Sequence, residues 1–133
     1  MNLQDLRRDY TRGGLSADAL AADPIEQFRN WIDVAIEHRA NEDPTAMTVA
    51  TVGEGGVPSQ RMVLLKGFDA NGFVFYTNYG SRKASEIELN ASVSLHFAWL
   101  SLERQVNISG VAERMSAAES ASYFLSRPRD SQL

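Results

Sequence analysis

Three groups of residues have the types and spacing to handle anions. The first lies in FVFYTNYGSRKASEI, residues 73–87. Ser81 reads as a helix N-cap, so Arg82 and Lys83 open the helix. Unpaired N–H groups and the macrodipole favour anions at that end, and each exposed cation there costs about 0.3–1 kcal/mol. A bound phosphate would reverse the sign. The turn and helix start would aim N–H donors at it, Arg82 would add a planar fork and Lys83 a point charge, and Thr77 and Ser81 could add hydroxyls. Without a ligand, both cations would reach into water.

The second group is QRMVLLKG. Arg61 and Lys66 bracket an apolar strand in which Arg61, Val63 and Leu65 share one face and Met62, Leu64 and Lys66 the other. The two cations therefore serve two separate anions, one on each side, or snorkel to solvent. A bulge alone would bring them together. The third group is YFLSRPRDS. Tyr123 and Arg127 are four apart, hence neighbours on a helix face, and Ser131 follows. A phenol, a guanidinium and a hydroxyl suit a phosphate monoester, and they also suit a plain helix C-terminus. Gln105, on the polar face of its strand, could bond a heterocycle edge or face solvent. Trp31 and Trp99 read as packing residues and His96 as a hydrogen-bonded sheet residue.

Other chemistries find little support. There is no cysteine, and His38 and His96 lack zinc spacing, so no metal site is expected. There is no Ser-His-Asp arrangement and no P-loop, which leaves an organic cofactor as the natural source of chemistry. Only two of the 13 basic residues are lysines, Lys66 and Lys83, and both fall in the groups above. The net charge of −4 argues against a general nucleic-acid binder. No apolar run approaches the ~20 residues that span a bilayer, and the N-terminus lacks a signal-peptide core. A soluble cytoplasmic protein is expected.

The elements that must position these groups are legible. The 133 residues suggest one domain. Residues 1–22 read as a short helix or arm. A helix begins at Asp23-Pro24, with Glu26 completing a capping-box pattern and Ile25, Phe28, Ile32, Ala35 and Ile36 on one face. Strands are predicted at 46–52, 59–66 and 73–77, with Asn71-Gly72 as a hairpin turn. A short helix at about 82–90 and two more alternating strands follow, the latter in VSLHFAW and RQVNISGVA. Five strands with few helices predict a small antiparallel barrel with helices outside. Ser116 and Glu119 open a further helix that Pro128 stops.

Taken together, RRDYTRGGL, DPIEQF, DPTAM, QRMVLLKGFD, FVFYTNYGSRKASEIELN, LERQVNISGVAERMS and YFLSRPRDSQL resemble the pyridoxamine 5′-phosphate oxidase family, over nearly the whole chain and in the family's order. The resemblance implies an α+β fold, mainly β with flanking helices: a split β-barrel of antiparallel Greek-key type that binds FMN. An arm at 1–22 would precede the barrel domain at 23–133. It implies a homodimer with FMN at the interface. The implied reaction is oxidation of pyridoxamine 5′-phosphate or pyridoxine 5′-phosphate to pyridoxal 5′-phosphate, with O2 as acceptor and hydrogen peroxide as product.

Carried over by motif, Arg61, Tyr76, Thr77, Arg82 and Lys83 would hold FMN, mainly by its phosphate. Met62, Val63, Leu64 and Leu65 would pass beside the flavin, ending at Lys66. Gln105 would reach the FMN held mainly by the other subunit. Lys66, Tyr123, Arg127 and Ser131 would grip the substrate phosphate. Arg7, Arg8, Asp9 and Tyr10 would close over the substrate. Two phosphates would explain cations on opposite faces of one strand. Family members continue past RDSQ, and the groups that orient the reacting end of the substrate are expected there, so no catalytic residue is assigned within these residues. Two alternatives share the fold: a non-catalytic binder of FMN or pyridoxal phosphate, and a flavin or deazaflavin reductase. The second has no need of a second phosphate grip such as Lys66, Tyr123, Arg127 and Ser131.

Overall fold

The computed structural model describes residues 2–6, 14–77, 80–116 and 118. Helix α1 runs Pro24–Glu37. Asp23 caps it as expected, accepting the Ile25 N–H at 2.9 Å, and Pro24 occupies the first turn, where its missing N–H costs nothing. Glu26 faces Arg29 at 3.7 Å. Phe28, Ile32 and Ala35 are buried along one stripe, and Ile36, at the edge of the predicted apolar face, is exposed.

The sheet is antiparallel, formed by β1 (Ala46–Val52), β2 (Pro58–Leu64), β5 (Ser92–Trp99) and β6 (Arg104–Val111) in the order β2-β1-β5-β6. A separate hairpin pairs β3 (Gly67–Asp69) with β4 (Gly72–Val74). Helix α2 spans Arg82–Leu89. Short 3-10 turns at Leu3–Leu6 and Ala17–Ala19 lie exposed in the N-terminal stretch. The predicted helix after Ser116 lies outside the described residues.

Two differences from the sequence-based expectation have local causes. Six strands form among the described residues, because the predicted strand at 59–66 changes partner near its end. The Leu65 N–H goes to Thr45 O at 2.9 Å, and the Lys66 N–H goes to Val74 O at 2.8 Å. The chain thus leaves the main sheet and enters the hairpin, whose turn is set by Asp69 accepting the Asn71 N–H and by Gly72 at φ 146°. The predicted strand at 73–77 ends at Val74. Second, the sheet is not closed into a barrel: β2 and β6 are both edges of the four-stranded sheet.

The inner face of the sheet carries the core. Met47, Val49, Leu95, Phe97 and Trp99 pack with Phe28, Ile32 and Ala35 of α1. Phe28 is the hub between helix and hairpin, meeting Phe68 and Phe73 edge-on at centroid distances of 4.9 and 5.0 Å. The buried Trp99 donates its indole N–H to Pro44 O at 3.0 Å. Trp31 is half-buried beneath the Arg104 guanidinium at 4.6 Å. Both tryptophans are packing residues, as their spacing suggested. The outer face presents the polar set that alternation requires, including Thr48, Gln60, Ser94, Gln105 and Asn107. His96 bonds Asn107 there across strands at 2.5 Å.

Candidate functional site

The inner face of the sheet becomes polar at the end nearest α2. Thr51 and Arg61 continue the inward alternation of β1 and β2, and Ser59 stands beside them. Arg61 pairs across the ladder with Val49. Its guanidinium reaches inward, where one Nη donates to Val49 O at 3.2 Å and Thr51 Oγ1 at 2.7 Å. The other donates to Ser59 Oγ at 2.7 Å and lies 3.4 Å from Glu86 Oε2.

Glu86 is the centre of this cluster and is buried, at 5% exposure. Oε2 accepts the hydroxyl protons of Thr51 and of Ser59, the latter at 2.8 Å. Oε1 accepts Arg82 Nε–H at 2.9 Å. These hydroxyl donors, and then Arg82, hold its carboxyl at about 2, against the cost of burial. Gly53 makes room for it, since a Cβ there would stand 2.8 Å from Glu86 Oε1.

Above the carboxylate sits the start of α2. Ser81 caps it as predicted, accepting the Ala84 N–H at 3.1 Å. The N–H groups of Arg82 and Lys83 precede the first intrahelical bond, which runs from Ser85 to Ser81. Thr77 and Ser81 place their hydroxyl oxygens 3.3 Å apart beside them. Arg82 is 72% exposed apart from its contact with Glu86. Lys83 is half-buried, with its ammonium 6.0 Å from the Phe75 ring centroid. Burial and the positive charge of Arg61 both hold the Lys83 ammonium below its ordinary range. Two guanidinium groups therefore meet one carboxylate, and Lys83 lies within the field of Arg61, so that these three cations exceed the single carboxylate by two charges. Such a nest can take a dianion.

The structure brings together Arg61, Thr77, Arg82 and Lys83 of the sequence-predicted residues, and Tyr76, next to Thr77 in the chain, is half-buried. It separates others. Val63 and Leu65 face the core, and Met62, Leu64 and Lys66 face outward, as alternation predicted. Gln105 is exposed on the outer face of β6, across the sheet from Arg61. Within this chain Gln105 therefore does not reach the nest. Arg7, Arg8, Asp9, Tyr10, Tyr123, Arg127 and Ser131 lie outside the described residues. Sequence reasoning missed Glu86, Thr51 and Ser59. The available signal was the four-residue spacing of Arg82 and Glu86, together with a Thr, a Ser and an Arg on one inward face.

Among the described residues, no group of acidic and imidazole side chains could hold a metal ion, and no helix is long and apolar enough to cross a membrane.

Comparison with known proteins gives a consistent picture. The chain is 61% identical over all 133 residues to a pyridoxine/pyridoxamine 5′-phosphate oxidase of Hahella chejuensis. It is 60% identical to the protein of that name from Vibrio parahaemolyticus. It spans 63% of the length of each of these curated relatives. PhzG of Burkholderia lata, solved in complex with tetrahydrophenazine-1-carboxylic acid, superposes with a TM-score of 0.77 at 27% identity, covering 84% of this chain and 55% of that one. A pyridoxamine 5′-phosphate oxidase-related, FMN-binding protein of Nostoc punctiforme shares the fold, with a TM-score of 0.58 at 20% identity over 77% of this chain and 55% of that one. The sequence profile described as pyridoxamine 5′-phosphate oxidase matches residues 34–133, and so the chain belongs to the pyridoxamine 5′-phosphate oxidase family.

Proposed function

We propose that this chain serves in FMN-dependent oxidation of pyridoxamine 5′-phosphate or pyridoxine 5′-phosphate to pyridoxal 5′-phosphate, with O2 as acceptor and hydrogen peroxide as product. The observation that carries the reading is the excess of two positive charges at the start of α2. FMN ends in a phosphate monoester whose charge near pH 7 is about −1.5 to −2. The donor set suits it: the Arg82 guanidinium, one ammonium, two hydroxyls and the leading N–H groups of a helix, with the positive charge of Arg61 beneath. The lowered ionisation of Lys83 supports the same view, because an arriving dianion would relieve a cation held partly out of water and beside the positive charge of Arg61.

In this reading Arg82, Lys83, Thr77 and Ser81 bind the phosphate, while Arg61 and Glu86 fix the floor beneath it. Tyr76 lines the approach. FMN held by these residues would supply the two-electron redox chemistry that links the substrate to O2. Met62 and Leu64, exposed on an edge strand, offer apolar surface to the flavin or to a second subunit. Gln105, on the far face, would serve the flavin of that second subunit in a homodimer. The open sheet and hairpin of residues 23–133 would then form the split barrel of Greek-key type, with 1–22 as its arm. Lys66, Tyr123, Arg127 and Ser131 would hold the substrate phosphate under Arg7, Arg8, Asp9 and Tyr10. A cytoplasmic setting suits this chemistry.

The test is direct. Purified protein should carry or take up FMN far more tightly than riboflavin, and release it on denaturation. Loaded protein should produce peroxide with pyridoxamine 5′-phosphate and none with pyridoxamine. Equal affinity for FMN and riboflavin would defeat the phosphate-site reading. Peroxide from neither phosphorylated vitamer would defeat the oxidase reading of this chain.

A further inference from the structure

Resting on the phosphate-site reading above, one feature of the cluster points further. The two oxygens of Glu86 are held differently. Oε2 takes Thr51, Ser59 and Arg61, all anchored on strands β1 and β2. Oε1 takes Arg82, whose side chain is otherwise open to water. The carboxylate is thus held from below by buried or half-buried side chains of the sheet. From above it is met by Arg82, its largely exposed partner, which is free to turn into water. Arg82 also stands at the mouth of the nest beside Lys83, Thr77 and Ser81.

We propose that Glu86 is a resident counter-anion. It holds Arg82 in the ligand-free protein and competes for it with the arriving phosphate, so that binding exchanges one anionic partner of Arg82 for another. Glu86 therefore sets how tightly the nest binds phosphate, and sets it below the limit that three uncompensated cations would reach. The same carboxylate stabilises the empty protein, because without it the Arg61 and Arg82 guanidinium groups would lose the anion they share. The two roles have opposite signs, which separates them from a merely structural one.

The experiment measures FMN and riboflavin affinity and thermal unfolding for the purified protein and its Glu86→Gln variant. The amide keeps the size and a carbonyl acceptor but removes the charge. The expected result is an FMN affinity about fivefold to tenfold tighter in Glu86→Gln, the size of one unit charge removed from a partly solvated site. Riboflavin affinity should stay unchanged, and the ligand-free Tm should be lower by about 5–10 °C. In an Arg82→Ala background the tightening should shrink, because the competed residue is gone. Weaker FMN binding in Glu86→Gln, or tightening that persists fully without Arg82, would overturn the proposal. Should the variant not fold, inorganic phosphate titrated into the native protein decides: the Arg82 Nε–H resonance should move strongly and that of Arg61 little, and the reverse pattern refutes the exchange. A native protein that binds FMN and riboflavin alike would instead defeat the phosphate site itself.

Discussion

Replacing both Arg82 and Lys83 by alanine should weaken FMN binding without unfolding the protein. The magnitude follows from where each charge sits. Two unit charges 4 Å apart interact by about 1 kcal/mol in bulk water and about 4 kcal/mol at the effective dielectric of a protein surface. Arg82 is 72% exposed, so its interaction lies near the lower figure. Its net share falls further, because it gives up Glu86 as it takes the phosphate. Lys83 is half-buried, so its share is the larger, about 1–2 kcal/mol. Together they contribute about 1.5–2.5 kcal/mol, or a loss of about 10-fold to 60-fold in FMN affinity. Stability should change little. Arg82→Ala leaves Glu86 with Thr51, Ser59 and Arg61, while Lys83→Ala removes a cation that the fold holds against burial and against Arg61. Flavin fluorescence titration gives the affinities, with riboflavin as the phosphate-free control. An equal loss for riboflavin would mean that the double substitution damaged the flavin pocket. No loss for FMN would remove the phosphate from the start of α2 altogether.

Three other outcomes are expected. Glu86, held at about 2 in the fold against an ordinary 4.5, contributes stability that is fully present above the unfolded value and is lost as pH falls through the folded one. Thermal unfolding followed from about pH 5 to pH 2 should show this decline, and Glu86→Gln should flatten it; an unchanged slope in the variant would assign the acid sensitivity elsewhere. Phe28→Ala should destabilise the protein by about 3–5 kcal/mol, because Phe28 joins α1 to the hairpin and to Phe97 and Trp99, as denaturant titration can measure. Arg127→Ala should raise the KM for the phosphorylated vitamer more than it lowers flavin content, and the opposite ratio would mean that the two phosphate grips are exchanged.

Where signal and structure are local, the sequence could be read closely. Asp23-Pro24 and the spacing of Phe28, Ile32 and Ala35 marked α1 because a cap and a stripe each need only a few adjacent residues. The faces of β2, β5 and β6 followed from alternation alone. The change of partner at Leu65 and Lys66 did not follow, since Met62 to Lys66 reads as one continuous strand. It takes a carbonyl from Thr45 and another from Val74 to divide it. Closure of the sheet was likewise illegible, because strand count and alternation are the same for an open sheet and a closed one.

The nest shows the same boundary at finer grain. Two cations at a helix start imply an anion, and the chain supplies one a turn later in Glu86. By spacing alone, Arg82 and Glu86 form an exposed pair worth about 0.3–0.5 kcal/mol, too little to single out. What changes its standing is the pair of hydroxyls donated by Thr51 and Ser59, which lie 35 and 27 residues away in the chain. They draw the carboxylate inward and favour its ionised form against the opposing cost of burial. A single resident charge then answers only part of the positive field of Arg61, Arg82 and Lys83. In the reading proposed above the remainder is what a phosphate dianion would meet, so that the internal anion answers part of the cationic helix start and the ligand the rest.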